Sequence, residues 1–277
     1  MKRRVKVPPN RFWIASRFFP YLGGKHFLVK HLLRLVPPHK VYVEVFGGAA
    51  ALLFAKERSP HEVYNDLDSN LYNLFIVVRD RRKEFVKKLE WVPYSRELYQ
   101  RWTKDLDAGR ILDPVERAVA FCYCMRAAFS GRWRAGWAFS RSGSDRAKIW
   151  AKFPEAVESI AERISAVNVD HKDFRACIKT WDTSETFFFL DPPYLDTLQA
   201  RTVISFTEQD HKDLAEILSH IKGKWLLTYN DHPLIRRLYD DSKFIVRRIR
   251  CQLASRKWGQ GPRRAALVNL VIRNYDL

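Results

Sequence analysis

The chain has 277 residues, 47% of them hydrophobic, and a formal net charge of +18. This length allows one large α/β domain, or one domain that carries an insertion, and the hydrophobic content excludes wholesale disorder. No apolar run approaches the roughly 20 residues that span a bilayer, and no apolar segment follows the basic N-terminus. The sequence therefore predicts neither a membrane protein nor a signal peptide.

Short apolar segments alternate with helical patterns along the chain. The predicted strands are Val41–Phe46, Glu62–Tyr64, Asn168–Val169, Phe187–Leu190, Trp225–Tyr229, Lys243–Ile249 and Ala266–Ile272. Helical periodicity covers Lys25–Val36 and Ala49–Lys56, and another predicted helix follows Thr207, a plausible N-cap. This alternation predicts an α/β fold with a doubly wound, mostly parallel sheet.

Residues 77–159 interrupt this alternation, because they have helical patterns and almost no strand pattern. Asp113, followed by proline and then by Glu116, predicts a helix start. A segment rich in Gly, Ser, Arg and Trp follows that helix. We therefore predict a catalytic domain made of residues 1–76 plus 160–277, with an inserted, mainly helical lobe of residues 77–159.

Positive charge is concentrated in residues 1–30, 126–152 and 243–264, which together contain a single acid, Asp145. Clustered positive charge favours a polyanionic partner such as nucleic acid, although a generally basic surface is the alternative. The candidate DNA-binding residues are Arg132, Arg134, Arg141, Arg256 and Lys257. The interleaved tryptophans could stack on DNA or be buried inside the lobe; they are Trp133, Trp137 and Trp150.

The four cysteines form no C-x-x-C pair. This spacing argues against a zinc site, and so few cysteines in a chain of this length argue against a disulfide framework. We therefore expect reduced thiols, a cytoplasmic protein and no bound metal.

The first predicted strand ends in Glu44-Val-Phe-Gly-Gly-Ala-Ala50. Glycines between a strand and a helix let the backbone approach a ligand closely, and Asp66, after the second strand, lies where an acid commonly binds ribose hydroxyls. No G-x-G-x-x-G motif or lysine-bearing phosphate loop is present. An adenosine ligand without phosphates, namely S-adenosylmethionine, therefore fits better than a dinucleotide. A glycine turn needed only for packing is the alternative.

The fourth predicted strand, Phe187–Leu190, is followed directly by Asp191-Pro-Pro-Tyr194. A carboxylate and a backbone carbonyl can accept the two hydrogens of an aromatic amine, which turns its lone pair towards an electrophile. Pro192 and Pro193 stiffen the backbone that carries the carbonyl, and Tyr194 can stack on a base taken out of a helix. The motif therefore suits methyl transfer to an exocyclic amine, although a surface turn is the alternative.

These motifs, in this order, resemble those of the Dam-like class of DNA adenine-N6 methyltransferases. Phe19-Pro-Tyr-Leu-Gly-Gly-Lys25 resembles that family's K-W-A-G-G-K segment, Glu44 to Ala50 its E-P-F-x-G-x-G segment, and the Asp191 motif matches in full. Asp173-Phe174, the pair Phe206 and His211, and Thr228-Tyr-Asn230 resemble three further motifs. Tyr21 and Ala50 depart from the family, which has tryptophan and glycine there.

The resemblance implies a Rossmann-like, S-adenosylmethionine-dependent methyltransferase fold with a seven-stranded sheet, in which the inserted lobe recognises the target. It implies these cofactor-binding residues: Tyr21, Gly23, Gly24, Lys25, Glu44, Phe46, Gly48, Asp66, Asp173, Phe174 and Asp191. The implied catalytic residues are Asp191, Pro192, Pro193 and Tyr194. Asp173 could instead cap a helix, and we expect a structural role for His211.

The implied activity is site-specific transfer of a methyl group to a flipped adenine of double-stranded DNA, with S-adenosylhomocysteine as the product. Three alternatives stay open at this point: methylation of adenine in RNA, methylation of cytosine N4, and DNA binding without catalysis. We also expect a monomer or weak dimer that is cytoplasmic, associated with the nucleoid when bound to DNA, and able to act beside a cognate restriction endonuclease.

Overall fold

The computed structural model describes Phe18 and residues 28–131, 133–140, 145–195, 205–240, 242–251 and 267–276. Seven strands lie within these residues, one at each predicted position. They are β1 (Val41–Glu44), β2 (His61–Asn65), β3 (Val167–Asp170), β4 (Thr186–Leu190), β5 (Lys224–Asn230), β6 (Ile245–Cys251) and β7 (Leu267–Arg273). The first strand ends two residues earlier than predicted, at Glu44, and the sixth begins two residues later, at Ile245.

The strands form one sheet in the order β3-β2-β1-β4-β5-β7-β6. Neighbours from β3 to β5 are parallel, whereas β7 is antiparallel to both β5 and β6. The prediction of a mostly parallel, seven-stranded α/β fold is therefore confirmed. All five residues of β4 are buried, because helices cover both faces of the sheet at its centre.

Eleven α-helices lie in the described part of the chain. They are α1 (Val29–Leu32), α2 (Ala51–Ala55), α3 (Ser69–Asp80), α4 (Arg82–Glu90), α5 (Arg96–Asp107), α6 (Pro114–Ala127), α7 (Arg146–Ala151), α8 (Phe153–Ile164), α9 (Phe174–Trp181), α10 (Glu208–His220) and α11 (Pro233–Leu238). Of the segment predicted as helix over Lys25–Val36, only Val29–Leu32 is an α-helix within the described residues.

Two predicted helix starts are confirmed in atomic detail. The Asp113 carboxylate accepts a hydrogen bond of 2.7 Å from the backbone N–H of Glu116, at the start of α6. Thr207 and Asp210 form a reciprocal capping box at the start of α10. Each cap satisfies backbone N–H groups that have no partner inside the helix.

The six helices α3 to α8 lie between β2 and β3 and fill the segment predicted to be helical. Phe121 and Tyr123 of α6 belong to one buried hydrophobic cluster with Tyr42, Tyr64 and Phe187 of the sheet. This segment therefore packs on one face of the sheet, while α9, α10 and α11 contribute to the cluster on the other face. The division of the chain at residues 77 and 159 stays a prediction.

A buried ionic cluster joins this helical segment to the sheet. It lies near the amino ends of the parallel strands. Glu62 on β2 accepts hydrogen bonds from Lys56 and from Arg163 of α8, the latter at 2.6 Å. Burial alone would raise the pKa of Glu62, but the hydrogen bonds and charges of Arg163 and Lys56 hold it below its ordinary value. Burial also lowers the pKa of Lys56 to about 8. Because all three side chains are buried, their mutual pairing is required.

Candidate active site

The glycine turn after β1 has two different structural causes. A Cβ on Gly47 would lie 2.2 Å from the ring of Tyr64, which is buried and donates a hydrogen bond to the carbonyl of Gly48. Gly48 has a φ of 49°, and its N–H donates a hydrogen bond of 2.8 Å to Asp66. Gly47 is thus required for packing, which was the alternative explanation of the glycine turn. Gly48, in contrast, orients Asp66, the predicted ligand-binding acid.

Asp66 lies just beyond β2, at the carboxyl edge of the sheet. One oxygen accepts the N–H of Gly48 and the other accepts the N–H of Asp68, each at 2.8 Å. Burial raises the pKa of this carboxyl group to about 6. Since a carboxylate offers about four acceptor directions, each oxygen keeps one direction in which to accept a hydroxyl group of a ligand.

Asn65 joins the carboxyl ends of three strands, a role that sequence reasoning missed. Its side-chain N–H₂ donates to the carbonyls of Val45 after β1, at 2.9 Å, and of Lys172 after β3, at 3.0 Å. Its side-chain oxygen accepts the backbone N–H of Lys172. The buried amide therefore uses both of its polar atoms to hold the turns beside Asp66. An asparagine at the end of a predicted strand was the available signal.

Three phenylalanines cluster at the same edge of the sheet. Phe46 is half-buried, and its ring centroid lies 5.7 Å from that of Phe174 and 5.6 Å from that of Phe206. Two of these residues were predicted to contact the cofactor, and the fold brings them together. They give this edge an apolar, aromatic wall.

Asp173 caps α9, which was the alternative to its predicted ligand contact. Its carboxylate accepts the backbone N–H of Arg175 at 2.9 Å and lies 3.2 Å from the Arg175 guanidinium. The same guanidinium pairs with Asp210 and Asp213 of α10. Arg175 therefore connects the beginnings of two helices near the aromatic wall, while contact of Asp173 with a ligand stays a prediction.

Glu44 is buried at the end of β1. One of its oxygens accepts hydrogen bonds from the Tyr42 hydroxyl, at 2.8 Å, and from the Leu53 N–H, at 2.9 Å. Burial is the main reason that the pKa of this carboxyl group is raised to about 8, and the charge of Asp191, just after the neighbouring strand β4, contributes to the increase. Glu44 is therefore mostly protonated at neutral pH, which limits repulsion with Asp191.

Asp191 follows the buried strand β4, as predicted, and thus lies at the carboxyl edge of the sheet. Its Oδ1 accepts hydrogen bonds from the hydroxyls of Thr228, at 2.7 Å, and Tyr194, at 3.0 Å. The Tyr194 ring is half-buried, with its centroid 5.6 Å from that of Tyr229. Asn230 donates a hydrogen bond of 3.1 Å to the carbonyl of Leu195. The end of β5 therefore contacts both the first residue of the Asp-Pro-Pro-Tyr segment and the residue that follows the segment.

Tyr229, which lies between Thr228 and Asn230 on β5, contacts α10. Nδ1 of the buried His211 lies 2.6 Å from the Tyr229 hydroxyl. Burial lowers the pKa of His211 to about 4, so the imidazole is neutral at physiological pH. This neutral, buried contact agrees with the structural role expected for His211.

In the helical segment, a hairpin-like turn carries the aromatic and basic residues. Arg134 is exposed and pairs with Asp107 at 2.7 Å. Trp150 is buried, with its N–H bonded to the Val92 carbonyl, so the burial alternative holds for this tryptophan. Two aromatic side chains of this segment are more than half exposed; they are Phe129 and Phe139.

Several predicted site residues lie outside the described residues. They are Tyr21, Gly23, Gly24, Lys25, Arg132, Arg141, Arg256 and Lys257. The described ranges contain no cluster of His, Cys, Asp and Glu side chains that could hold a metal ion. Burial raises the pKa values of the thiols of Cys122, Cys124 and Cys177 to about 12.

No helix in the described part of the chain is long and apolar enough to cross a membrane.

Comparison with known proteins bears directly on this arrangement. The family model "D12 class N6 adenine-specific DNA methyltransferase" matches residues 21–251. The chain is 27% identical to the Type II methyltransferase M1.LlaDCHI of Lactococcus lactis subsp. cremoris, over 93% of this chain and 95% of that protein. It is 26% identical to the DNA adenine methylase of Escherichia coli (strain K12), over 86% of this chain and 89% of that protein.

A third relative is the Type II methyltransferase M.CviBI of Paramecium bursaria Chlorella virus NC1A, which is 23% identical over 79% of this chain and 84% of that protein. The family match spans both the glycine turn after β1 and the Asp-Pro-Pro-Tyr segment after β4, with the helical segment between them. The resemblance found in the sequence is thereby confirmed. The chain belongs to the D12 class of N6 adenine-specific DNA methyltransferases.

Proposed function

We propose that this chain binds S-adenosylmethionine at the carboxyl edge of its sheet and transfers the methyl group to N6 of an adenine flipped out of double-stranded DNA. The observation that carries the proposal is the placement of Asp191 beside Glu44 and Thr228, at the end of the buried central strand. Open α/β sheets bind their ligands at this edge, so the carboxylate, the glycine turn and the aromatic wall belong to one site.

The Asp191 carboxylate and the carbonyl of Pro192 would accept the two N6 hydrogens of the target adenine. Tyr194 would stack on the base, because its ring adjoins the carboxylate to which its hydroxyl donates. These contacts align the nitrogen lone pair with the methyl group, so positioning supplies most of the rate enhancement. No covalent intermediate on the protein is needed.

The described residues fit an adenosyl cofactor without phosphate groups. Asp66 keeps acceptor directions for the two ribose hydroxyls, and the Phe46 and Phe174 rings provide an apolar wall for an adenine base. When bound, S-adenosylmethionine supplies a methyl group activated by its sulfonium charge. By resemblance, Tyr21, Gly23, Gly24 and Lys25 would hold the methionine end, with Lys25 pairing with its carboxylate.

DNA would lie across the carboxyl edge and contact the inserted lobe. Exposed Arg134, Phe129 and Phe139 support this placement, because arginine binds phosphate or guanine and exposed aromatic rings can stack on bases. Arg132, Arg141, Arg256 and Lys257 are proposed as further DNA contacts. A cognate restriction endonuclease and a monomeric or weakly dimeric state stay predictions.

One transfer assay tests the proposed function against its alternatives. The protein is incubated with methyl-labelled S-adenosylmethionine and duplex DNA, single-stranded DNA or RNA, and the polymers are then digested to nucleosides. Label in N6-methyldeoxyadenosine from duplex DNA is expected. Label only in RNA would show that the substrate is RNA, and label only in N4-methyldeoxycytidine would show that the target base is cytosine. DNA binding without any label would indicate a protein that has lost catalysis.

The role of Asp191 has a matched control at the other end of β4. Asp191→Ala should reduce transfer by at least about a thousandfold, because it removes the charged acceptor of the amine, while DNA binding persists. Glu185→Ala removes an exposed acid just before β4, at the opposite edge of the sheet, and should leave transfer unchanged. Transfer by Asp191→Ala at the rate of the Glu185→Ala protein would refute the assigned role.

A further inference from the structure

The pairing of β4 with β5 places a buried hydroxyl beside the proposed catalytic carboxylate. Leu190 and Leu227 are partners in these parallel strands, so the next residues, Asp191 and Thr228, lie side by side on the same face of the sheet. Thr228 is fully buried, and its hydroxyl donates to Oδ1 of Asp191 at 2.7 Å. A buried hydroxyl that donates to a carboxylate makes a charge-assisted hydrogen bond, which is among the stronger kinds.

Two hydroxyls meet at the same oxygen of Asp191. Tyr194 donates to Oδ1 at 3.0 Å, from the side of the Asp-Pro-Pro-Tyr segment, while Thr228 donates to it from β5. A carboxylate oxygen has about two acceptor directions, and two donors therefore occupy both of them. This arrangement fixes the rotation of the carboxylate about its last bond.

We propose that Thr228 is a positioning residue for methyl transfer, whose hydroxyl holds Oδ1 of Asp191 towards β5 so that Oδ2 receives the amino group of the target adenine. This inference rests on the proposed function, because it assigns the oxygen that Asp191 presents to the substrate. Because Thr228 is fully buried, we expect it to act through Asp191 and not by direct contact with substrate or cofactor. Its effect should therefore fall on the rate of the chemical step.

The simpler explanation is that Thr228 only fills space in a buried strand, and three variants separate the two. Thr228→Val keeps the shape and removes the hydroxyl, whereas Thr228→Ser keeps the hydroxyl and removes a methyl group. Thr186→Val is the matched control, because Thr186 is also a buried strand threonine, with a hydroxyl bonded at 2.7 Å to the Trp181 carbonyl. Thr186 begins β4 and so lies at the edge opposite to Asp191.

The experiment measures kcat and the KM for S-adenosylmethionine with duplex DNA for the wild type and the three variants, together with their melting temperatures. Thr228→Val should lower kcat by about 10- to 100-fold with little change in KM, as expected for the loss of a charge-assisted hydrogen bond at the reacting group. Thr228→Ser should restore most of kcat, although it lacks the methyl group that packs in the core.

Any of the following results would overturn the inference. A Thr228→Val protein with wild-type kcat would show that the hydroxyl has no positioning role. Equal losses of kcat in Thr228→Val and Thr186→Val, or failure of Thr228→Ser to restore the rate, would show that only stability or packing is affected. A wild-type protein without transfer activity would refute the proposed function, and this inference with it, whereas an active wild type confines the test to Thr228.

Discussion

Replacing Glu44 with glutamine should make the stability of the folded chain less sensitive to pH. Glu44 is buried, and one of its oxygens accepts both the Tyr42 hydroxyl and the Leu53 N–H. Glutamine has a similar shape and a carbonyl oxygen that can accept the same two hydrogens. The substitution therefore removes an ionisable group while it keeps the hydrogen bonds of the protonated acid.

The size of the effect follows from the pKa of Glu44. Burial raises this pKa from an ordinary value of 4.5 to about 8 in the folded chain. Between these pH values the folded chain retains a proton that the unfolded chain has released, so wild-type stability falls as the pH rises through this window. Each pKa unit corresponds to about 1.4 kcal/mol, which sets an upper limit of about 5 kcal/mol for the whole window.

Urea unfolding of both proteins, measured without cofactor between about pH 5 and pH 9, tests this prediction. The free energy of unfolding of Glu44→Gln relative to wild type should increase with pH and level off above about pH 8. Asp66 and other titrating groups are common to both proteins and cancel in this difference. A difference that is independent of pH, like that expected for the exposed control Glu185→Gln, would refute the assignment of a protonated Glu44.

Three further substitutions test separate parts of the fold. Gly47→Ala should destabilise the chain by about 1–3 kcal/mol and raise the KM for S-adenosylmethionine, because the new methyl group displaces the Tyr64 ring; unchanged unfolding and kinetics would contradict this packing. Asp113→Ala should cost about 1 kcal/mol in urea unfolding through loss of the N-cap, with kcat unaffected. Arg163→Met should cost about 3–5 kcal/mol, because it leaves the buried Glu62 with only one cationic partner; a loss below about 1 kcal/mol would show that the cluster relaxes freely.

The fold was largely predictable because its determinants are local. Alternating apolar segments located all seven strands, and the acid and hydroxyl caps at Asp113 and Thr207 located two helix starts. Strand ends were less predictable: Phe46 continues the apolar pattern of β1, yet the strand ends at Glu44, two residues before Phe46. Apolar periodicity reports burial and does not report where the hydrogen bonding of a strand ends.

The candidate site was predictable in its residue types and less so in its contacts. Asp66, Gly48 and Asp191 were selected from motifs that lie at the ends of strands, and the parallel sheet brings these ends to one edge. Asn65 and Arg175 were missed, because their roles depend in part on Lys172 and Asp210, which are 107 and 35 residues away along the chain. The sequence analysis favoured a ligand contact for Asp173 over a helix cap; its side chain caps α9 in the structure, and the ligand contact stays a prediction.

The Asp-Pro-Pro-Tyr motif was enough to indicate methyl transfer to an amine, because it is a local pattern with a local physical reason. The choice of DNA adenine as the substrate depended on the basic segments and on the family resemblance. The tertiary structure decided which groups act on one another. It placed Thr228 beside Asp191 through strand register, buried Glu44 so that its carboxyl group is protonated, and set Tyr64 against Gly47. Such effects come from burial and from distances between segments remote in the sequence, and a linear pattern contains neither.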